Sequence, residues 1–269
     1  MRLPAFLGAL FLTAATLRPV AALSAPPAAS ASLIAHKAMY ALTLDHANND
    51  DIVGAHGTMS YEVTDACDAW IVHQQLRLIV TNADGQTIDM DSDYATWEAK
   101  DGLKFRFHMR QTTDTAVTSA TDGEATLTRV GGPGEAHYTL PEKKTVSLPA
   151  GTVFPMAQTA ALIAAAADGK RFLALPLFDG TDENGAEDSF TILLDRRKPT
   201  PTHWPALSAL PSTRANISFF DHDPRAMTPS FQVNVRYWKD GVADGMRMDF
   251  GDFVMKGHMV RFMPGRPHC

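Results

Sequence analysis

Hydrophobic and polar residues alternate along most of this 269-residue chain, in short runs separated by turn residues. A period of two places successive side chains on opposite faces of a strand, so the alternation indicates antiparallel strands with one buried face. Asn82-Ala83-Asp84-Gly85 and Asp101-Gly102 are typical of tight turns between such strands. The predicted strands of the first half are 36–45, 54–63, 70–81, 86–98, 103–111, 116–121, 125–130, 136–140 and 144–148, with Asp122-Gly123 as a further turn.

One segment breaks the alternation. Residues 154–168 are rich in alanine and nearly uncharged, with Pro155 at the start and Gly169 just after the end. Proline suits the first turn of a helix and glycine suits its C-terminal cap, so the segment predicts a buried helix. Such a helix either fills a barrel or lies across an open sheet. Strands resume at 171–178, 187–195, 214–221, 231–239, 246–250 and 253–262.

The stretch 198–211 contains four prolines, which a central strand does not accommodate. Segments of the same β character flank it on both sides. We therefore interpret it as a long connection within a single β-rich domain spanning 33–269. All-β folds of this length are often one domain.

The N-terminus has the three-part pattern of a secretory signal. Arg2 precedes the apolar stretch 5–17, and small residues follow at 20–22. The apolar stretch is shorter than the about 20 residues that a membrane-spanning helix needs. We therefore expect a signal peptide at 1–22, a flexible leader at 23–32, and a periplasmic mature chain without a transmembrane segment.

Charge and motifs argue against several classes of function. Removal of 1–22 leaves 22 basic and 30 acidic residues and a formal charge of −8, which disfavours nucleic-acid binding. The sequence contains no Gly-x-Ser-x-Gly, His-Glu-x-x-His, Walker-type or dinucleotide-binding motif. We therefore predict no catalytic residues, no cofactor and no enzymatic activity. An unrecognised periplasmic hydrolase is the least favoured alternative.

Residues that often bind metals have structural explanations here. The ten histidines are scattered, and none lies three or four residues from another. Asp89, Asp91 and Asp93 share one face of a strand, but their spacing does not continue as a calcium-binding loop, so we interpret them as a solvated face. Methionines near the C-terminus suit copper(I), but they suit apolar packing or an acyl-chain cavity better; they are Met246, Met248, Met255, Met259 and Met263. We predict no metal site.

The two cysteines are Cys67 and the last residue, Cys269. In an exported chain, an even number of cysteines favours a disulfide over two buried thiols that never meet. We predict a Cys67–Cys269 disulfide, which brings the end of the chain next to the strands around Cys67. The chain-entropy model gives such a loop of about 200 residues roughly 5 kcal/mol of stabilisation as an upper figure.

Several motifs resemble the EipB family of cell-envelope integrity proteins. They are LPAGTVFP at 148–155 leading into the alanine-rich helix, PLFDGT at 176–181, DFGDF at 249–253 and the terminal cysteine. The resemblance covers essentially the whole mature chain. It implies an antiparallel β-spiral, or open barrel-like cylinder, around one central α-helix at about 155–168, with Cys67 and Cys269 joined.

The resemblance also implies a non-enzymatic periplasmic role in maintaining envelope integrity under stress, including resistance to cell-wall antibiotics. Two mechanisms remain open. The chain binds a periplasmic or envelope protein, such as one with tetratricopeptide repeats, through a sheet edge or its outer face. Alternatively, it binds or carries a lipid or another envelope component in a half-barrel cavity.

Overall fold

The computed structural model describes residues 32–220 and 228–265. Over these residues, fourteen strands form one antiparallel sheet in the order β8-β7-β6-β5-β4-β3-β2-β1-β14-β13-β12-β11-β10-β9. The strands are β1 (His36–Ala47), β2 (Ile52–Asp65), β3 (Ala69–Asn82), β4 (Thr87–Ala99), β5 (Lys104–Thr113), β6 (Ala116–Leu127), β7 (Gly134–Leu140), β8 (Lys144–Leu148), β9 (Phe172–Leu177), β10 (Glu187–Arg197), β11 (Ser212–Phe220), β12 (Phe231–Trp238), β13 (Ala243–Asp249) and β14 (Phe253–Pro264). The helices are α1 (Pro155–Ala167) and α2 (Pro205–Ser208). Neither helix in this part of the chain is long and apolar enough to cross a membrane.

The sheet consists of two meanders joined at its centre. Strands β1 to β8 run outward in sequence order on one side, and strands β14 back to β9 run outward on the other. The joint is the antiparallel pairing of β1 with β14, in which His36 lies opposite Pro264 and Ala47 lies opposite Phe253. Helix α1 therefore connects the two outermost strands of the sheet, β8 and β9.

The two outer edges of the sheet approach each other around α1. Val153, just before the helix, forms a parallel bridge with Leu177 of β9. The loop after β9 places Phe178 and Ala186 in one apolar cluster with Leu148 of β8. The sheet remains open, because β8 and β9 are not paired in the strand order. This architecture confirms the predicted open, barrel-like β cylinder with one central helix.

Helix α1 contributes to the main core of the molecule. Leu162 and Ile163 lie in one cluster with Leu42 and Leu78 of the first meander and Ile217 of the second. A separate cluster consists mainly of aromatic side chains; its rings are those of Phe105, Phe107, Tyr138, Phe154 and Phe178. The alternation along the strands places these residues on the concave face, and the helix fills the space that the curled sheet encloses.

The predicted turn at Asp122-Gly123 is wrong, because both residues lie inside β6. A Cβ atom at position 123 would lie 2.9 Å from the Phe107 ring and 3.0 Å from the Tyr138 Cα. Glycine at this position therefore permits the close approach of neighbouring strands. The predicted strands 116–121 and 125–130 therefore correspond to the single strand β6. Each of the remaining predicted strands coincides with one observed strand. The proline-rich stretch 198–211 connects β10 with the neighbouring β11 and contains α2.

Candidate functional site

A buried glutamate of β4 anchors the N-terminus of α1. The backbone N–H groups of Met156 and Ala157 each donate a 2.8 Å hydrogen bond to the Glu98 carboxylate. Phe154 at the N-cap makes no side-chain capping bond, so Glu98 satisfies two of the N–H groups that a helix leaves unpaired at its start. Burial opposes ionisation of Glu98 more strongly than these bonds favour it, and raises its pKa to about 7.

A second polar connection joins α1 to the other meander. Gln158 donates from Nε2 to Ser189 Oγ of β10 at 2.9 Å, and Ser189 donates in turn to the Leu175 carbonyl of β9 at 2.7 Å. Gln158 and Ser189 are both buried. Hydrogen bonds at the N-terminal end of α1 therefore hold the helix between β4 of the first meander and β10 of the second.

An open cavity of about 370 Å³ lies between the C-terminal half of α1 and strands β10 to β12. We call it the helix cavity. Its walls are mainly apolar and include Ile163, Ala164 and Ala167 of α1 and Trp238 at the end of β12. The short alanine side chains of α1 leave this space unfilled. Its volume is within the about 300–1,000 Å³ of typical small-molecule sites.

The rim of the helix cavity is basic. Among the described residues that line it, the charged ones are Arg196 and Lys239, and both are exposed. Arg196 donates from Nη1 to the Ala167 carbonyl in the last turn of α1 at 2.9 Å. This bond holds the guanidinium group at the opening, where a ligand with a negative charge would meet it.

The free edge of the second meander carries exposed aromatic side chains. Phe172 of β9 and Phe190 of β10 stack with ring centroids 6.0 Å apart, and they are 57% and 39% exposed. Leu194 of β10 is 51% exposed. We call Phe172, Phe190 and Leu194 the β9 patch. Single exposed apolar side chains are common on protein surfaces, whereas adjoining ones that form a contiguous patch mark candidate interaction sites.

Of the predicted disulfide, the structure describes one partner. Cys67 lies in the turn between β2 and β3 with a φ of 71°, and its N–H donates to Asp65 Oδ1 at 2.9 Å. Cys269 lies outside the described residues, as do the predicted signal peptide at 1–22 and all of the predicted leader except Ser32. The Cys67–Cys269 disulfide and the signal peptide therefore stay predictions.

The potential metal ligands identified in the sequence have other partners. Asp89 forms an ion pair with Arg77 at 2.5 Å, and Asp93 forms a hydrogen bond with Nε2 of His73 at 3.1 Å. Four of the C-terminal methionines are buried in the main core; they are Met246, Met248, Met255 and Met259. Within residues 32–220 and 228–265, no group of three or more His, Cys, Asp or Glu side chains is arranged to hold a metal ion.

Sequence reasoning did not identify Glu98, Arg196 or Lys239. Glu98 has a recognisable signal, because the alternation along β4 places it on the buried face with Thr96. A charged residue at such a position requires a partner. Arg196 and Lys239 have no comparable signal, since the sequence holds many exposed basic residues. Their importance depends on where α1 lies relative to β10 and β12.

Comparisons with known proteins agree with the fold and with the motifs. The family model described as EipB-like matches residues 27–264. The cell envelope integrity protein EipB of Brucella abortus (strain 2308) is 26% identical over 253 residues, which cover 88% of this chain and 86% of that protein. A crystal structure of a beta-barrel-like protein of domain of unknown function DUF1849, from Brucella abortus, is similar with a TM-score of 0.79 and 26% identity, over 87% of this chain and 99% of that one. The match of the family model to most of the sequence confirms the resemblance: this chain belongs to the EipB-like family.

Proposed function

We propose that this chain is a periplasmic factor that maintains cell-envelope integrity under stress, without enzymatic activity, by binding an envelope protein. Membership of the EipB-like family and the name of the Brucella abortus relative support the envelope role. The secretory pattern before residue 23 supports the compartment. The observation that carries the binding mechanism is the β9 patch.

The backbone of β9 supports this mechanism as well. Val153 occupies the free edge of β9 near its C-terminal end, where it donates to the Pro176 carbonyl at 2.9 Å. Since backbone groups alternate in direction along a strand, those of Phe172 and Ala174 also point to the free edge. Pro176 lacks an N–H group and limits pairing beyond that point. The edge therefore suits a short extended segment of a partner, with the β9 patch beside it.

Substitution of the β9 patch tests this function. In a strain lacking the protein, we expect wild-type protein to restore growth with detergent and β-lactam, and Phe172→Glu and Phe190→Glu to restore it poorly. Each glutamate places a charge in an apolar contact that must lose water on binding. Val260→Glu is the matched control, because Val260 is 52% exposed but lies on β14. Melting curves establish that the variants fold.

Photo-crosslinking in the same strain can identify the partner. A photo-crosslinking amino acid at position 190 should capture one envelope protein, and Phe172→Glu should abolish that product. A protein with tetratricopeptide repeats is the class that the family resemblance suggests. Full growth restoration by both β9 patch variants would contradict the proposed mechanism.

A second candidate function is the binding or carrying of a lipid or another envelope component. The observation that favours it is the helix cavity, which combines apolar walls with a basic rim. Mass spectrometry of the protein purified gently from its own periplasm would reveal a bound lipid. A preparation without any copurifying small molecule would count against this candidate.

A further inference from the structure

We infer that the helix cavity binds an amphiphile with one alkyl chain and an anionic head group, and that Arg196 and Lys239 hold the head group. This inference rests on the second candidate function and names the chemical class of its ligand. Three features carry it: the composition of the walls, the distribution of charge around the opening, and the hydrogen bonding of Arg196.

The walls favour an alkyl chain over a polar ligand. Ile163, Ala164 and Ala167 form one side, and Trp238 contributes on the other. Apolar surface exposed in an open cavity is hydrated unfavourably, and an alkyl chain that covers it releases that water. The space exists because α1 carries alanine at 164 and 167, where a larger side chain would fill it.

The charge around the opening is opposite to that of the whole chain. The complete sequence has a formal net charge of −6. Among the described residues that line the helix cavity, two are basic, Arg196 and Lys239, and none is acidic. A local basic excess of this kind attracts anions to the opening.

The acidic residues next in sequence to Arg196 and Lys239 are Asp195 and Asp240, and both have other partners. Asp195 accepts a 2.8 Å hydrogen bond from Nε of Arg214, and Asp240 is buried and accepts a bond from the Val242 N–H at 3.2 Å. Arg196 and Lys239 line the cavity directly. Their positive charges are therefore the ones that a bound head group would meet.

The position of Arg196 also offsets the negative end of the α1 dipole. The last carbonyl groups of a helix carry partial negative charge, which by itself would repel an anion. Arg196 donates to one of them, the Ala167 carbonyl. A guanidinium group has five N–H donors, so others remain for a carboxylate or a phosphate.

Calorimetric titration of the full mature protein tests the class of ligand. The probes are dodecanoate and lysophosphatidylglycerol as anions, dodecanol as the neutral analogue and dodecyltrimethylammonium as the cation, each below its micelle concentration. We expect at least one anion to bind ten times or more tightly than dodecanol and the cation. The preferred anion distinguishes a free fatty acid from a phospholipid source.

Two pairs of variants locate the site. Arg196→Gln and Lys239→Gln should each weaken binding of the preferred anion at least fivefold, whereas Lys104→Gln, an exposed lysine of β5, should not change it. Ala164→Phe should abolish binding of every alkyl probe. Ala167→Leu provides a milder version at an exposed position, in case the larger residue prevents folding.

The outcomes distinguish failure of the proposed ligand class from failure of the second candidate function. Equal affinity for dodecanol and both anions, or unchanged affinity in both glutamine variants, would overturn the anionic head group while leaving a lipid-binding cavity. Absence of binding by every probe would overturn the inference, and only a native preparation without any copurifying small molecule would count against the second candidate function as well. Neither result bears on the growth test of the β9 patch, which is measured separately.

Discussion

Two opposite effects act on the pKa of the Glu98 carboxyl group. Hydrogen bonds from the Met156 and Ala157 N–H groups favour its ionised form. Removal from water favours the neutral form, and this effect prevails, so the pKa is raised from 4.5 to about 7. Folding thus causes Glu98 to retain a proton at pH values where the unfolded chain has released it.

Substitution Glu98→Gln should change how stability depends on pH. Because the folded pKa is the higher one, the contribution of Glu98 is complete below pH 4.5 and is lost as pH rises through about 7. A neutral glutamine lacks this dependence. The free energy of unfolding of the wild type should therefore fall, relative to Glu98→Gln, by about 3 kcal/mol between pH 4 and pH 8. Urea unfolding at several pH values measures this difference, and parallel pH profiles for the two proteins would contradict the argument.

Most of the strands and helix α1 are predictable from the sequence. The period of two located the strands, and proline and glycine marked the ends of α1, because these signals are local. The prediction of a turn at Gly123 is wrong because glycine is typical both of a turn and of a close approach of strands. The pairing of β1 with β14 and the helix cavity were not predictable from such patterns, because they depend on contacts between residues far apart in sequence.

Gly180 is a position where two elements meet closely. It lies in the loop after β9 with a φ of +73°, and a Cβ atom there would collide with the Phe107 ring of β5. Gly102 is a matched control, with a φ of +72° and open space around the Cβ position. We expect Gly102→Ala to lower the free energy of unfolding by about 1 kcal/mol, from backbone strain alone. Gly180→Ala should lower it by roughly 2–4 kcal/mol, since overpacking adds to the strain. Denaturant unfolding measures both, and equal losses would show that the contact with Phe107 is unimportant.

The strand register at the centre of the sheet supports the proposed disulfide. His36 lies opposite Pro264 of β14 on one side and opposite Val63 of β2 on the other. Strands β2 and β14 therefore run in the same direction, toward Cys67 and toward the C-terminus respectively. They are separated by two strand spacings, about 10 Å. The five residues after Pro264 are long enough to cover that distance.

Removal of the disulfide should weaken the molecule as a whole. We expect Cys67→Ser to lower the free energy of unfolding by about 2–5 kcal/mol, because the unfolded chain gains conformational freedom. Cys269→Ser should cause the same loss, and the double variant should be no less stable than either single one. A non-reducing digest should contain a linked Cys67–Cys269 peptide. Labelling of both cysteines by a thiol reagent in the oxidised native protein would contradict the bridge.

The pairing of β1 with β14 has a consequence for the order in which the molecule assembles. Within each meander, strands that follow one another in sequence pair with each other. Each meander can therefore form as soon as its own residues are available. The central seam joins strands near the two ends of the chain. While the chain emerges from its N-terminus, β1 has one side unpaired until β14 becomes available. Completion of the sheet therefore requires β14, and a product truncated before β14 would expose an unpaired edge of β1 that can pair with other chains.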